Sequence, residues 1–182
     1  MPLERAPPET FTTAGLTLRR PRLEDAGAVF RNYATDPQVV RYLCWRLHES
    51  EADTLEFLQF CERAWQEEIA FTYAIEPLAD STGPIGMIDM RFERGQVHFG
   101  YVLGRLFWGQ GIMSEALTCL VDWSLAQASI WRAAAYCDVE NLGSARVMEK
   151  AGMVREGLLR RYAVHSNVSP DPRDCYLYAK VR

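Results

Sequence analysis

The chain has 182 residues, 48% of them hydrophobic, and a formal charge of −4; that length and apolar share suit one compact domain whose core needs no disulfide or metal staple. The acidic balance leaves no footprint for nonspecific nucleic-acid binding, while it tolerates a basic protein or an amine as partner. No apolar run approaches the ~20 residues that a membrane helix needs, and the N-terminal MPLERAPPETFTTAG lacks the apolar stretch of a signal peptide. Five widely spaced cysteines, Cys44, Cys61, Cys119, Cys137 and Cys175, form no C-x-x-C pair and have no histidine at metal-ligand spacing, so a reducing cytoplasm fits and no metal is expected.

Residues 1–11, rich in proline and charge, are expected to be flexible, leaving 12–182 as the folded domain. TAGLTLRR alternates as a strand does, and Pro21 stops it. From Glu24, apolar Ala26, Val29, Phe30 and Tyr33 recur at helical spacing until Asp36-Pro37. Ser50 with Asp53 makes a capping-box start for a longer helix that carries Leu55, Leu58, Cys61, Trp65 and Ile69 as one stripe. The period then changes: FTYAIEP, PIGMIDMRF and QVHFGYVL are short, rich in β-branched and aromatic residues, and separated by the turn-like ADSTG and ERG, which predicts an antiparallel meander. After FWGQG a helix is expected from about Ile112 to Ala128, with Ala116, Leu117, Leu120, Val121, Ser124 and Leu125 on one face. RAAAYCDV follows as a buried strand, SARVMEKAG as a short helix closed by Gly152, and MVREGLLRRYAV and CYLYAKV as final strands. The fold class is α/β: a meander, then one β-α-β crossover.

The mouth of the crossover helix is where a ligand would be held. Gly109 and Gly111 stand one residue apart just before it. Glycines let the backbone approach a ligand closely, and the first N–H groups of a helix point outward with the positive end of its macrodipole behind them. An anion such as a pyrophosphate suits the place; equally, a tight turn with Ser114 and Glu115 as ordinary first-turn residues needs no ligand. A dinucleotide fingerprint does not fit. Gly109-Gln110-Gly111 supplies two glycines and Asp138 ends the next strand, but Ser114 takes the third position, the loop begins four residues after the strand, and hairpins join the flanking segments. No Gly-Lys-Ser or Gly-Lys-Thr follows, which excludes a Walker A loop.

The ordered set VHFGYVL, FWGQGIMSEAL and NLGSARVMEKAGM followed by REG resembles the GCN5-related N-acetyltransferases. The branch it resembles is that of the ribosomal-protein alanine and serine N-acetyltransferases, over nearly the whole chain from TLRRPRLEDAGAVF to the last strand. The resemblance implies an acyl-CoA N-acyltransferase fold: a mixed, mainly antiparallel sheet, splayed at its central strands and flanked by helices. The family's loop pattern Q/R-x-x-G-x-G/A falls on Trp108, Gly109, Gln110, Gly111, Ile112 and Met113, keeping the central Gly111 but placing Trp108 and Met113 at the outer positions. By resemblance, backbone N–H groups from about Gln110 to Ser114 hold the pyrophosphate of acetyl-CoA. The strand around Tyr101, Val102 and Leu103 splays to bind the pantetheine arm, and one of its N–H groups steadies the tetrahedral oxyanion. Both reactants meet in a ternary complex, without a covalent intermediate or a metal.

The resemblance also has Asn141 bonding the pantetheine arm and Ser144 protonating the departing thiolate, although Asn and Ser are also residue types that cap helices. Many relatives carry a tyrosine acid four residues beyond Ser144; here that residue is Met148. Where family members often place a glutamate base, two residues before the Gly-Tyr pair, this chain has His98. Its reference pKa of ~6.5 suits the removal of an amine proton, and as one polar position of an alternating strand it needs no such role. His165 is the other histidine within reach, and Ala163 stands where the serine-acetylating relatives have a glutamate. Arg146 and Lys150, four apart, either reach the coenzyme's 3′-phosphate or form a solvated face. RYLCWRLHES, with Arg41, Tyr42, Trp45 and His48, falls where this fold forms its acceptor pocket. The expected function is transfer of an acetyl group from acetyl-CoA to a primary amine, with a protein N-terminus as first candidate and a small-molecule amine (antibiotic, polyamine or amino acid) as the alternative. An acyl-CoA sensor without turnover is the alternative of another class, since the usual tyrosine and glutamate are both missing. The expected partners are acetyl-CoA and the amine, in a monomer or homodimer, with no nucleic acid and no membrane.

Overall fold

The computed structural model describes residues 6–79 and 83–182. Residues 1–5 of the segment expected to be flexible lie outside the described residues, and its end is tied down: Thr10–Thr12 forms strand β1, antiparallel to β2, Leu16–Arg19. Phe11 meets Tyr73 and Trp123 edge-on, and the Tyr73 hydroxyl donates to the Pro8 carbonyl at 2.7 Å. These aromatic contacts anchor residues 8–12 to the sheet, a single well-packed ring holding a stretch whose composition is otherwise polar.

The region expected to hold one helix from Glu24 to Tyr33 is irregular. A tight turn at Leu23–Asp25 leads into α1, Ala26–Val29, a stretch of wider helical turn at Phe30–Ala34, and then α2, Pro37–Val40. Asp25 accepts from the Arg22 N–H at 2.8 Å and from the Arg19 guanidinium at 2.7 and 2.9 Å, while the same guanidinium grips Glu76 on the third strand at 2.6 and 3.1 Å. Helix α3, Glu51–Gln66, starts as its sequence predicts: the Asp53 carboxylate accepts from the N–H groups of Glu49 and Ser50 at 2.8 and 3.0 Å.

The predicted meander is present as β3 (Phe71–Pro77), β4 (Gly86–Glu93) and β5 (Gln96–Leu103). Helix α4, Ile112–Ala126, crosses to β6, Arg132–Asp138; α5, Leu142–Lys150, precedes β7 (Val154–Ala163) and β8 (Arg173–Val181). The eight strands run in the order β1-β2-β3-β4-β5-β6-β8-β7, antiparallel throughout except for the parallel pair β5–β6. The result is an open mixed sheet with flanking helices, the architecture that the sequence resemblance implies. Alternation along the strands builds two cores. Val97 and Phe99 point with Ile88, Met90, Ala133 and Ala135 toward Leu117, Leu120 and Val121 of α4 and Met148 of α5. On the other face Val102 packs with Ala74 and Met87 against Val29, Tyr33 and Leu58. Among the described residues no helix is long and apolar enough to cross a membrane.

Candidate active site

β5 and β6 are joined at three rungs only: Gln96 opposite Arg132, Val97 opposite Ala133 and His98 opposite Ala134. β4 follows β5 through to Leu103, and β6 continues to Asp138 on β8. Beyond His98 the two central strands therefore part, and among the described residues the β6-facing edge of Gly100, Tyr101, Val102 and Leu103 has no strand partner. A strand edge without a ladder partner presents backbone N–H and C=O groups to whatever enters.

The loop from that edge to α4 is braced by its own side chains. The Trp108 indole donates to the Leu103 carbonyl at 2.7 Å, and the Gln110 amide donates to the Leu106 carbonyl at 2.9 Å. Gly109 and Gly111 have φ of +77° and +84°, and a Cβ built on either meets nothing within 4 Å. The left-handed backbone favours glycine at both positions, and the emptiness around them leaves room for a ligand against the chain. The first amide to bond back into α4 is that of Glu115, to the Gly111 carbonyl at 2.9 Å, so the N–H groups of Ile112, Met113 and Ser114 precede the helical ladder. Met113 itself is buried in the core, which leaves its backbone as the part that can serve a ligand. Glu115 latches the loop to the edge of the sheet, accepting from Thr13 Oγ1 at 2.6 Å and from the Gly15 N–H at 2.8 Å. Beside this latch lies a cavity of about 400 Å³ that Ser114 helps to line. An anionic, elongated coenzyme fits this combination: N–H groups at a long helix's start, open space at two glycines, and a free strand edge alongside.

Across the parted strands Tyr101 and Ser144 meet. The Tyr101 oxygen lies 2.7 Å from Ser144 Oγ and 3.1 Å from the Ser144 carbonyl. When the phenol donates to the carbonyl, the serine proton points to the phenol; when it donates to Oγ, the serine proton is released toward the cleft. Asn141 caps α5, its Oδ1 accepting from the Ser144 N–H at 3.2 Å, so the capping role open to it in the sequence is realised and its Nδ2 is left for a ligand. Arg146, two residues beyond Ser144, points roughly to the other side of α5 at ~100° per residue. It lines a cavity of about 250 Å³ with Leu142, Glu149, Arg155 and Tyr176.

The opposite face of β5 carries His98 and Gly100. Burial, then the charge of Arg91, hold the His98 imidazole below its usual range; Glu93 pulls the other way and Arg132 adds the least. Opposite Gly100 on β4 stands Asp89, which the sequence reading missed. Its Oδ2 receives Arg91 Nε at 2.8 Å, and its Oδ1 lies 2.6 Å from where a Gly100 Cβ would be, so only glycine there leaves the carboxylate its place. Burial pushes the Asp89 carboxyl up to about 6 despite Arg91. The available signal was an acidic residue between Ile88 and Met90, in the apolar first half of its strand.

His165 is 5% exposed and sits 3.7 Å from Asp138 and 3.8 Å from Cys175 Sγ, with Tyr42 edge-on to its ring. Asp138 is held by Arg173 at 2.6 Å and by the Glu140 N–H at 2.9 Å, so this strand-end carboxylate is structural and no ribose ligand is needed to explain it. In the 41–48 segment Trp45 packs on His48 and Phe57, and Asn167 donates to the carbonyls of Val40 and Trp45 at 2.8 Å each, clamping this segment to the β7–β8 loop.

Comparison with known proteins places this geometry. Residues 15–154 match the profile of the acetyltransferase (GNAT) domain. The chain is 31% identical over 156 residues to an uncharacterised N-acetyltransferase, p20, of Bacillus licheniformis, covering 85% of this chain and 87% of the relative. Its fold is similar to that of the microcin C7 self-immunity acetyltransferase MccE, solved in complex with acetyl-CoA and AMP, with a TM-score of 0.83 at 23% identity over 93% of this chain and 94% of that one. It is also similar to RimL, the ribosomal L7/L12 alpha-N-protein acetyltransferase, solved in complex with coenzyme A, with a TM-score of 0.82 at 23% identity over 95% and 98% of the two chains.

Proposed function

Since the chain belongs to the GNAT acetyltransferase family and is an acetyl-CoA-dependent N-acetyltransferase, we propose that its acceptor is a primary amine, first of all a protein N-terminal amine, attacked directly in a ternary complex in the cytoplasm. The observation that carries the reading is the parting of β5 from β6 beyond His98, beside two left-handed glycines at the start of α4.

In this reading acetyl-CoA supplies an activated thioester. Backbone N–H groups from Gln110 to Ser114 hold its pyrophosphate, with Trp108 bracing the loop from behind. The open edge at Tyr101, Val102 and Leu103 binds the pantetheine arm in place of the missing β6 rungs, and Asn141 adds its Nδ2. A strand N–H aimed at the thioester oxygen steadies charge in the transition state, commonly a large part of such catalysis. Ser144, aligned by Tyr101, gives a proton to the departing sulfur. His98 lines the face from which the amine approaches, and Arg146 belongs to the solvated side of α5.

RimL and MccE share the fold while their described roles differ, so the fold alone does not select the acceptor. The test is release of free thiol from acetyl-CoA with peptides beginning in alanine or serine, with spermidine, and with no amine. Release that depends on the peptides supports the proposal, and release with spermidine alone moves the acceptor to small amines. Thiol release with none of them, while acetyl-CoA still raises the melting temperature, identifies a sensor.

A further inference from the structure

The attacking nitrogen loses a proton on the way to the amide, and two side chains on one face of the β4–β5 hairpin could take it. They differ in what protonation does to their charge. His98 becomes a cation where burial and then Arg91 oppose one, with Glu93 offsetting part of that opposition and Arg132 adding to it. Asp89 becomes neutral, which burial favours, and gives up one ion pair to an Arg91 side chain that is 51% exposed. Position separates them further. His98 is the last rung of the β5–β6 pairing, whereas Asp89 lies opposite Gly100, the second residue into the gap, with Oδ1 occupying the space a side chain there would fill.

We propose that Asp89 is the general base of this acetyltransferase: Oδ1, lying over Gly100 at the opening of the cleft, takes the proton of the attacking amine, in place of the His98 expected from the sequence. The inference rests on the acetyl-transfer reading above. The nitrogen lone pair forms the C–N bond to the thioester carbon, the N–H proton passes to Asp89, and the C–S bond breaks with its electrons on sulfur. The sulfur takes a proton from Ser144, which recovers one from water, and Asp89 releases its own to water. The amide and the free thiol balance the neutral amine and the thioester, and the ammonium has released its first proton to water before the attack.

The groups around Asp89 leave the assignment standing. Arg91 holds Oδ2 from the same strand, and Thr72 is its partner on β3. Cys61 of α3 is close enough to feel its charge, with a thiol pushed up to about 11 that stays neutral. His98 flanks Gly100 on β5, and Tyr136 of β6 is within reach of the Arg91 charge. Among the described residues Arg91 is the cation set against the carboxylate: its Nε holds Oδ2, and its Nη2 shares with Oδ1 the space over Gly100, so the incoming amine meets the two side by side.

The experiment is the pH dependence of kcat/KM between pH 5 and 9 for the wild type, Asp89→Asn, Asp89→Glu and His98→Gln, with saturating acetyl-CoA and whichever of the alanyl peptide, seryl peptide or spermidine is turned over. The wild-type profile should break downward near pH 6. Asp89→Asn should lose roughly 10²- to 10⁴-fold and the break with it, Asp89→Glu should restore part of the rate with a displaced break, and His98→Gln should keep the wild-type break. An Asp89→Asn profile that keeps the break, or a His98→Gln profile that loses it, overturns the assignment while acetyl transfer stands. Absence of turnover with every amine overturns both. The rise in melting temperature with acetyl-CoA shows whether Asp89→Asn keeps its fold. Should it not fold, ¹³C titration of the aspartate carboxyls in the wild type, with Asp89→Glu to identify the signal, decides: a midpoint near 6 supports the base, and an ordinary one near 4 removes it.

Discussion

Gly111→Ala separates a ligand cradle from a tight turn. An L-residue held at Gly111's φ of +84° pays a left-handed penalty of about 1–2 kcal/mol. The added methyl meets no protein atom within 4 Å, so the fold bears that cost alone, a fall of about 3–6 °C in melting temperature for a chain of this size. Gly152→Ala is the matched control, with φ of +78°, only ordinary contacts to Lys180, and a position at the far end of α5. Both variants should lose similar stability without ligand. They should differ with acetyl-CoA at a hundred times the wild-type dissociation constant, which stabilises a single-site binder by about 2.7 kcal/mol. Gly152→Ala should keep all of that. In Gly111→Ala the methyl fills space that the pyrophosphate would occupy, and a tenfold loss of affinity would cut the stabilisation to about 1.4 kcal/mol. Thermal unfolding with and without acetyl-CoA reads both numbers. Equal stabilisation of the two variants would refute the cradle and leave Gly111 as a turn residue.

Ser144→Ala should lower kcat roughly 10²-fold with acetyl-CoA saturating, with coenzyme affinity kept, since the cap from Asn141 uses the Ser144 backbone; unchanged turnover would remove Ser144 as the acid. Tyr101→Phe removes the tie between β5 and α5 and should cost about 1 kcal/mol in urea unfolding, with a smaller fall in kcat than Ser144→Ala. Asp89→Asn should raise stability at pH 8. The native carboxyl titrates near 6 against an unfolded value of ~3.9, so the native state holds the extra proton between those values and wild-type stability falls as pH rises through them. The variant should be more stable by about 2 kcal/mol above pH 7 and no different below about pH 4; equal stability at pH 8 would mean the carboxylate is well solvated. Arg19→Met leaves Asp25 and Glu76 facing each other with side chains only 8% and 18% exposed, and should cost about 3 kcal/mol by urea unfolding, a loss below 1 kcal/mol counting against the network.

The segments that the sequence placed well are those whose period is set by a single buried face. FTYAIEP, QVHFGYVL and RAAAYCDV each lie in the sheet at or within one residue of their expected bounds, and the stripe on α4 is the one the core uses. The Ser50–Asp53 cap and the Gly152 stop are local interactions, legible within a few residues. Failures came where distant contacts decide. β1 exists because Phe11 reaches Tyr73 and Trp123, and the stretch from Leu23 to Ala34, helical as its spacing predicts, passes from a tight to a wide turn, which the spacing does not announce. In the site, the glycine loop was visible because left-handed turns need glycine at fixed spacing. The bond from Tyr101 to Ser144 joins residues 43 apart, and no local pattern announces it. Asp89 was not singled out in the sequence, since its setting depends on Gly100 across the hairpin.

The most direct measurement is amide hydrogen exchange with and without acetyl-CoA. Protection should rise in two stretches that are separate in sequence, Gly100 to Leu103 and Gln110 to Ser114, with little change in β7 and β8. Protection confined to the α5 cavity around Arg146 and Arg155, or absent from the glycine loop, would contradict a coenzyme site at the parting of β5 and β6.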